Sequence, residues 1–377
     1  MFNIFYFNEY KYLSFSEIFF NIFISFFWKM FLKTLSLNLS ILILIFPICI
    51  ITKKKIPKVS CKDLINYYDK LNNENDCSTD KKSFKNNKNR YENYDSFEIC
   101  KKDLLKLYKY RTWKMFDLEN PKSFNEKIQW LKLYDNSNLK TELSDKYLVR
   151  NFIKNKIGEK YLVKLLGVWD SFDDINFDLL PEKFVLKANH GSGYNIIVNN
   201  KSNLNISEAR KKINEWMKIN YASRGYEFQY LNIKRKIIAE EYLENNNNDL
   251  YDYKIFCFDG KAKFIGFYSE RNINVKLAFY DLNWTKLNFT YYEEDEKIIP
   301  KPKNFEELIQ ISEILSQGFA HVRVDFYILN DGNVKFSEIT FSDNNGMGRW
   351  KPIEQDLILW QLIKLPYKKP FPLNIFT

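Results

Sequence analysis

The stretch HVRVDFYILNDGNVKFSEIT, residues 321–340, decides the fold, because it predicts two antiparallel strands joined by a tight turn. Apolar residues alternate with polar ones along HVRVDFYIL (321–329) and VKFSEIT (334–340), which is the pattern of strands with one buried face. Asp331-Gly332 between them is a strong signal for a two-residue hairpin turn. The stretch therefore predicts which residues lie opposite one another as well as the strands themselves.

The predicted register brings two acids together on the polar face. Asp325 lies opposite Glu338, and Arg323 lies opposite Thr340. Directly opposed carboxylates repel each other, so solvent, a shared proton, an arginine or a bound cation must offset the repulsion. Both side chains can reach one hard divalent ion, and magnesium combines carboxylate oxygens with phosphate and water. An exposed hairpin whose charges face water is the alternative.

A second predicted hairpin carries a lysine and a glycine-rich loop. In FVLKANHGSGYN, residues 184–195, an apolar run ends at Lys187 and is followed by two of the chain's 11 glycines. Glycine permits close backbone approach, and exposed N–H groups beside an ammonium suit a polyphosphate. The loop matches neither GxxxxGK[ST] nor GxGxxG, so a plain hairpin loop is the alternative.

Two more segments agree with a nucleotide site. KIIAEEYLEN (236–245) is an apolar strand with glutamates near its end, where backbone groups can meet an adenine and a carboxylate can meet a ribose. SDKYLVRNFIKNKIG (144–158) predicts a helix capped by Ser144, with Lys146 at the N-terminus, where phosphates are favoured.

Helical and strand patterns alternate in a way that predicts an α+β fold rather than a doubly wound parallel sheet. Ser123 and Glu126 form a capping-box pattern at the start of one helix, and residues 207–219 and 305–317 are amphipathic. The predicted strands are 183–188, 194–199, 236–243, 252–258, 262–268, 275–281, 321–329 and 333–340.

Composition excludes some classes of protein. The chain is 45% apolar and 28% charged, so most of it is expected to fold. The net charge is +10, but no dense arginine patch occurs, and nucleic-acid binding is not predicted. Five cysteines without a CxxC pair and only two histidines argue against a structural zinc site and a disulfide framework.

The N-terminal region, residues 1–58, is hydrophobic and predicts a membrane anchor near residues 34–52. Lysines follow directly at 53–55 and at Lys58. Positive charge beside an apolar span stays on the cytoplasmic side, so the rest of the chain is expected to face the cytoplasm while the anchor associates it with the membrane.

Residues 59–100 are polar and rich in asparagine and lysine, which predicts a linker. The remaining chain, 101–377, is then one globular domain. Either Met1 or Met30 can be the true start of the protein, since the apolar run follows both.

Four of these segments follow one another along the chain: the helix of Lys146 (144–158), the glycine-rich loop (184–195), the strand with glutamates (236–245) and the acidic hairpin (321–340). In this order they resemble the TupA-like family of the ATP-grasp superfamily, which is named for teichuronopeptide synthesis. The resemblance is also carried by SFNEKIQWLKLYD (123–135), GVWDSFDDINFDLLPEKFVLKANHGSG (167–193) and DYKIFCFDGK (252–261). It implies an ATP-grasp fold, in which two α+β subdomains clamp a nucleotide, with an N-terminal membrane-anchor helix. The cofactors that it implies are ATP and Mg²⁺.

The resemblance also implies a role for each matching residue. Those at the nucleotide are Lys146 and Lys187 at the phosphates, His190, Gly191, Ser192 and Gly193 in the closing loop, Glu240, Tyr242 and Leu243 at the adenine, and Glu241 or Glu244 at the ribose. Asp325 and Glu338 are the implied magnesium ligands, and Arg323 steadies the transferring phosphoryl group or the tetrahedral intermediate. Thr340 stands where many relatives have asparagine, so a second magnesium is less secure.

The implied reaction is ATP-dependent ligation through an acyl phosphate. A carboxylate is joined to an amine, or to a thiol, in the synthesis or decoration of cell-surface polysaccharide or teichuronopeptide. The partners are then small-molecule or polymer-precursor substrates, whose identity the sequence leaves open together with the oligomeric state. A glycosyltransferase that uses a sugar nucleotide and a membrane-tethered binding protein are the two alternatives.

Overall fold

The computed structural model describes residues 94–243, 250–269 and 275–368. These residues belong to one unit of the chain, Phe84–Thr377. The predicted anchor near residues 34–52 lies outside the described residues, so its prediction stands as made. Within the described ranges, no helix is both long and apolar enough to span a bilayer.

The α-helices of the described ranges are joined by loops and short 3-10 turns. They are α1 (Tyr94–Thr112), α2 (Phe124–Tyr134), α3 (Asn138–Ser144), α4 (Val149–Lys156), α5 (Ile206–Lys218), α6 (Phe305–Leu315) and α7 (Gln355–Leu359). Helix α1 begins before residue 101, where the globular domain was predicted to start, and its Cys100 and Leu104 are buried in the core.

Capping explains where two of these helices begin. Ser123 caps α2 as predicted, because its Oγ accepts a backbone hydrogen bond at 3.2 Å. The prediction that Ser144 caps the next helix is wrong, since Ser144 is the last residue of α3. The Asp145 carboxylate takes that place and accepts from the backbone N–H groups of Tyr147 and Leu148 at 2.8 and 3.2 Å.

The strands include every one that the sequence predicts. They are β1 (Leu165–Trp169), β2 (Phe184–Ala188), β3 (Asn195–Val198), β4 (Ile237–Glu241), β5 (Asp252–Phe258), β6 (Lys261–Ser269), β7 (Lys276–Tyr280), β8 (Lys286–Leu287), β9 (Glu293–Glu294), β10 (His321–Ile328) and β11 (Val334–Thr340). Strands β1, β8 and β9 were not predicted, since β1 lacks polar alternation and the other two have only two residues each.

The first sheet has the strand order β1-β4-β2-β3, and all its pairs are antiparallel. Helix α5 packs on one face, where its Ala209 and Ile213 join Phe184 and Leu186 in a buried cluster. The apolar stripe of α5 and the alternate residues of β2 meet in this way because each element has one hydrophobic face to cover.

The second sheet has the order β11-β10-β5-β6-β7-β8, with β9 added parallel to β7. One face packs against α6 through a cluster that includes Val322, Val324 and Phe326. The opposite face packs against α1 and α2 through a cluster that includes Phe256 and Phe258. The two sheets with their helices confirm the predicted α+β architecture of two subdomains.

The β10–β11 hairpin has the predicted register at the acids but a different turn. Asp325 pairs with Glu338, as predicted. The predicted two-residue turn is wrong: Leu329 N–H donates to the Asn333 carbonyl, and three residues form the loop. The longer loop shifts the strand pairing by one residue. A bulge beside Asp325 adds one residue to β11 and restores the predicted pairing at the acids. Gly332 supplies the left-handed conformation of this loop, with φ of 84°.

Candidate active site

Arg323 and Asp325 form the centre of the site, on the polar face of β10. Arg323 Nε donates to Asp325 Oδ1 at 2.8 Å and Arg323 Nη2 donates to Oδ2 at 2.7 Å, while Asp325 is fully buried. Lys254 Nζ donates to the same Oδ2 at 2.5 Å and lies 2.7 Å from Asp252 Oδ2. An arginine and a lysine therefore offset the repulsion between the opposed acids, which is one of the solutions that the sequence allows.

Glu338 is the more accessible of the two acids. Its Oε2 lies 3.4 Å from Lys146 Nζ, and its Oε1 lies 3.4 Å from Arg323 Nη2. Burial by itself raises the pKa of Glu338, but the positive charges of Lys146, Lys254 and Arg323 outweigh burial and hold the pKa well below its usual range. Glu338 is therefore ionised at neutral pH.

Asp343 holds the other side of the Arg323 guanidinium. Arg323 Nη1 donates to Asp343 Oδ1, and the Tyr291 hydroxyl donates to Asp343 Oδ2 at 3.0 Å. Arg323 Nη2 also donates to Thr340 Oγ1 at 3.2 Å. The orientation of Arg323 thus depends on a residue beyond the end of β11, which the hairpin pattern does not indicate.

Lys187 and Glu240 meet in the first sheet. Lys187 Nζ donates to Glu240 Oε2 at 2.5 Å, and Arg150 donates to Glu240 Oε1 at 2.9 Å. Burial lowers the pKa of Lys187, but the charge of Glu240 leads the effects that outweigh it, and the net pKa is raised. The space that Lys146, Lys187 and Glu240 enclose is about 10 Å³, which holds about one water.

Lys146 connects the glycine-rich loop to the acidic hairpin. Its Nζ donates to the Gly191 carbonyl at 2.9 Å, in addition to its contact with Glu338 of the hairpin. The start of the loop is fixed by Asn189, whose Nδ2 donates to Asp145 Oδ1 at 2.9 Å and whose Oδ1 accepts from Lys236 N–H at 2.7 Å. The predicted lysine and the predicted loop are therefore in direct contact.

Aromatic residues pack closely against the glycine-rich loop. A Cβ at Gly191 would lie 2.6 Å from a ring carbon of Tyr221 and 2.9 Å from Tyr194, so glycine is required there by close approach. His190 was predicted to contact the nucleotide, but its ring is buried and Nε2 lies 3.1 Å from the Trp216 carbonyl. The structure thus places His190 as a support for the loop rather than on its open side.

The open side of the loop borders a large cleft. Ser192 is exposed and lines a cavity of about 670 Å³, which we call the central cleft, together with Arg323, Glu338 and several tyrosines. Gly193 adopts φ of 75°, a left-handed conformation that favours glycine. Glycine is therefore favoured at the two positions for different reasons: Gly191 lacks space for a side chain, and Gly193 has a left-handed backbone conformation.

The predicted adenine and ribose residues line a second cleft. Glu241, Tyr242 and Leu243 border a cavity of about 850 Å³, whose apolar walls include Leu166, Leu179 and Pro181. Glu240, the fourth residue of this prediction, points instead to the lysines, because neighbouring residues of a strand face opposite sides. Glu244 lies outside the described residues.

Helix α2 fixes the loop after β11 through buried polar side chains. Lys132 Nζ donates to the Gly225 carbonyl at 2.8 Å and to Asn345 Oδ1 at 2.5 Å. Gln129 Nε2 donates to the carbonyls of Asn345 at 3.0 Å and Gly346 at 2.7 Å. Burial lowers the pKa of Lys132 to about 7. Gln129 and Lys132 were not predicted from the sequence, because their positions in an amphipathic helix are typical of solvent-exposed residues.

The donor set fits magnesium at one of the two predicted ligands. The side chain of Glu338 is 27% exposed and lines the central cleft. Both oxygens of Asp325 accept hydrogen bonds from Arg323, and one of them also from Lys254. No group of three or more acidic, histidine or cysteine residues in the described ranges could hold a metal, so phosphate and water would complete its coordination. The shared role of the two acids stays a prediction.

The two sheets bring glutamates and lysines to one site, an arrangement that agrees with the predicted ATP-grasp fold. Residues 126–364 match the family described as TupA-like ATPgrasp. The chain belongs to this family, and the predicted resemblance is confirmed. A comparison of the sequence with curated proteins gives no match.

Solved structures similar to this chain are ligases and synthetases. D-alanine–D-alanine ligase from Bacillus anthracis, complexed with ATP, is 15% identical, with 53% of this chain and 55% of that chain covered and a TM-score of 0.34. L-amino acid ligase from Bacillus licheniformis is 10% identical, with 67% and 56% covered and a TM-score of 0.39. N5-carboxyaminoimidazole synthetase from Staphylococcus aureus is 15% identical, with 52% and 44% covered and a TM-score of 0.30. This chain spans about half the length of each.

Proposed function

We propose that this protein is an ATP-dependent ligase that activates a carboxylate as an acyl phosphate. The γ-phosphoryl group of ATP moves to a carboxylate oxygen, and ADP leaves. An amine then attacks the acyl carbon, the bond from that carbon to the phosphate oxygen breaks, and phosphate departs with the amide formed. Thiol attack would give a thioester by the same steps.

One observation carries the proposal: Lys146 contacts the glycine-rich loop and the acidic hairpin at once. Its Nζ lies 2.9 Å from the Gly191 carbonyl and 3.4 Å from Glu338 Oε2. A loop that cradles phosphates and an acid that would hold magnesium must lie within a few ångströms of each other, since magnesium would neutralise those phosphates. The single lysine between them supports that placement.

The residues of the site divide the chemistry among them. Lys146 and Lys187 neutralise phosphate charge, and Arg323 orients the transferring group, so the barrier is lowered by positioning and electrostatics. Magnesium, held by Glu338 with Asp325 beside it, would supply further neutralisation of the phosphates. Closure of the glycine-rich loop would exclude water from the labile acyl phosphate.

The base and ribose of the nucleotide are proposed to lie in the cleft beside the end of β4. Its leucine and proline side chains give apolar walls, and the backbone groups of Tyr242 and Leu243 lie at its border. Small-molecule sites of this size are mostly apolar with a few polar groups that fix orientation.

We place the reaction in the synthesis or decoration of a cell-surface polysaccharide or teichuronopeptide, which the family membership supports. The lysines that follow the apolar segment near residues 34–52 support an anchored enzyme whose catalytic domain faces the cytoplasm. Protease treatment of sealed vesicles should leave the domain accessible from the cytoplasmic side only. Protection from that side would contradict the orientation.

Nucleotide binding to the full chain, purified in detergent, tests the ligase proposal. Millimolar Mg-ATP should raise the melting temperature, because a ligand that binds only the native state stabilises it. Lys146→Met should abolish the shift, whereas Lys154→Met, at an exposed position of α4, should keep it. A shift with UDP-glucose and none with Mg-ATP would favour the glycosyltransferase. No shift with either nucleotide would contradict both the ligase and the glycosyltransferase function.

The substrates can be found by measuring ADP release against panels of amino acids and uronic acids with an added amine. Turnover should require both substrates, because the acyl phosphate is consumed only when the amine attacks. ADP release that is independent of every carboxylate tested, in a protein that binds Mg-ATP, would contradict carboxylate activation.

A further inference from the structure

The lining of the central cleft is more basic than the proposed reaction requires. Cationic side chains outnumber acidic ones among the charged residues of the wall, Arg111, Arg224, Lys254, Arg323 and Arg349 against Glu227, Glu338 and Asp343. Two of the cations, Lys254 and Arg323, belong to the hairpin network already described. The other three have no role in that network.

The acids of this lining are already engaged. Glu338 contacts Lys146, and Asp343 accepts from Arg323. Glu227 accepts from Ser342 Oγ at 2.5 Å. Each of these acids therefore has its own partner in the protein, and none of them forms an ion pair with the three remaining arginines.

The three arginines present their guanidinium groups without an acidic partner. Arg111, Arg224 and Arg349 are exposed, and in the described ranges none has a carboxylate oxygen within 4.0 Å. Arg349 Nη2 donates to the Arg111 carbonyl at 3.4 Å, so these two residues are neighbours. The Arg224 guanidinium lies 5.5 Å from the centre of the Tyr221 ring, which also lines the cleft.

We propose that the central cleft binds a substrate with at least one carboxylate beyond the one that reacts, and that Arg111, Arg224 and Arg349 hold this further group. The identity of the reacting group rests on the proposed function, but the anion site itself does not. Guanidinium groups match carboxylates with two parallel hydrogen bonds. The cleft, of about 670 Å³, has room for more than a single small acid.

The lining of the cleft also suits an acidic molecule of several units. Besides the charged residues it contains tyrosines, Tyr221, Tyr230, Tyr268, Tyr291 and Tyr292. Such rings offer a flat apolar surface with a hydroxyl at one end. A chain of acidic units, peptide or sugar acid, can thus place one carboxylate near Arg323 and another at the outer arginines.

Calorimetry on the full chain can test this with matched probes. Triglutamate is compared with triglutamine, and trigalacturonate with maltotriose, which separates a peptide source from a sugar-acid source. At least one acidic probe should bind about tenfold more tightly than its neutral counterpart, and the difference should shrink as salt is raised. Equal binding of acidic and neutral probes, or no binding of either acidic probe, would overturn the inference.

Variants assign the binding to the arginines. Arg111→Gln, Arg224→Gln and Arg349→Gln should each weaken the preferred acidic probe by about fivefold to tenfold, while Arg210→Gln, an exposed arginine of α5, should not. Unchanged affinity in all three variants would overturn the assignment. All should keep the Mg-ATP stabilisation of the parent. Loss of that stabilisation in the parent, with acidic probes still bound through the arginines, would sink the ligase proposal and support the anion site.

Discussion

Lys187 and Glu240 form a partly buried ion pair of 2.5 Å between neighbouring strands of the first sheet. Val185, not Lys187, lies directly opposite Glu240, so the pair is diagonal across β2 and β4. Since Lys187 is paired with Glu240, a phosphate that binds Lys187 has to displace or share this contact. Nucleotide binding is therefore expected to separate this pair or to move the loop, since the enclosed space of about 10 Å³ is too small for a phosphate.

The ion pair should contribute to stability in a coupled way. Lys187→Met leaves the buried Glu240 with Arg150 alone and is expected to lower the free energy of unfolding by about 2 kcal/mol. Glu240→Gln should lower the free energy of unfolding less in the Lys187→Met protein than in the parent, because Lys187, its partner, is already absent. Urea denaturation of the four proteins measures the coupling, and strictly additive effects would show that the two residues do not interact.

Glu338 should make stability depend on pH at the acid end. Its pKa is lower in the folded protein than the ordinary value of 4.5, so its stabilising contribution is full above about pH 4.5. The contribution is lost as pH falls through the lower folded pKa. The difference in unfolding free energy between the parent and Glu338→Gln should therefore shrink below about pH 4.5. Glu182→Gln, at an exposed position, is the control, and a parallel acid profile for both variants would contradict this assignment.

Lys132 should stabilise the loop after β11. Lys132→Met removes the donor from two carbonyls and one amide oxygen, and we expect a loss of about 2–3 kcal/mol in the free energy of unfolding. Lys122→Met, just before α2 and exposed, should change stability by less than about 0.5 kcal/mol. Equal effects in chemical denaturation would mean that Lys132 makes no specific contribution.

The glycine-rich loop should not tolerate alanine at Gly191. Gly191→Ala forces the loop away from Tyr221, because the new Cβ would lie 2.6 Å from the ring. Since Gly191 also accepts from Lys146, we expect Mg-ATP affinity to fall about tenfold or more, or about 1.4 kcal/mol. Ser207→Ala, at an exposed position of α5 outside the loop, should leave the affinity within about twofold. Titration of the thermal shift measures both.

Arg323 should act on turnover more than on nucleotide binding. Arg323→Lys keeps the positive charge but loses the planar guanidinium, which binds both oxygens of Asp325 and one oxygen of Asp343 through three different nitrogens. We expect kcat to fall by about 100-fold or more, as for loss of one preorganised donor, with the Mg-ATP shift retained. Arg210→Lys, in an exposed pair, is the matched control. Unchanged kcat in Arg323→Lys would remove the catalytic role.

Much of the fold follows from local pattern. The alternation of polar and apolar residues predicts β10 and β11, and both end residues of β5 agree with the prediction. Such predictions succeed because side chains alternate every two residues along a strand and one buried face enforces that pattern. The pairing of Asp325 with Glu338 was predicted from a two-residue turn, yet it arises from a longer loop and a bulge whose offsets cancel. A local pattern can thus give the right register without the right turn.

The sequence by itself determined most of the strands, the family and the segments that form the site, because spacing and residue type are local properties. Only the tertiary structure decided how each charge is matched. It pairs Lys187 with Glu240, turns His190 inward, and holds Arg323 through Asp343. Partners of this kind are far apart in the chain, and burial makes their choice energetically large, so no local pattern can reveal them.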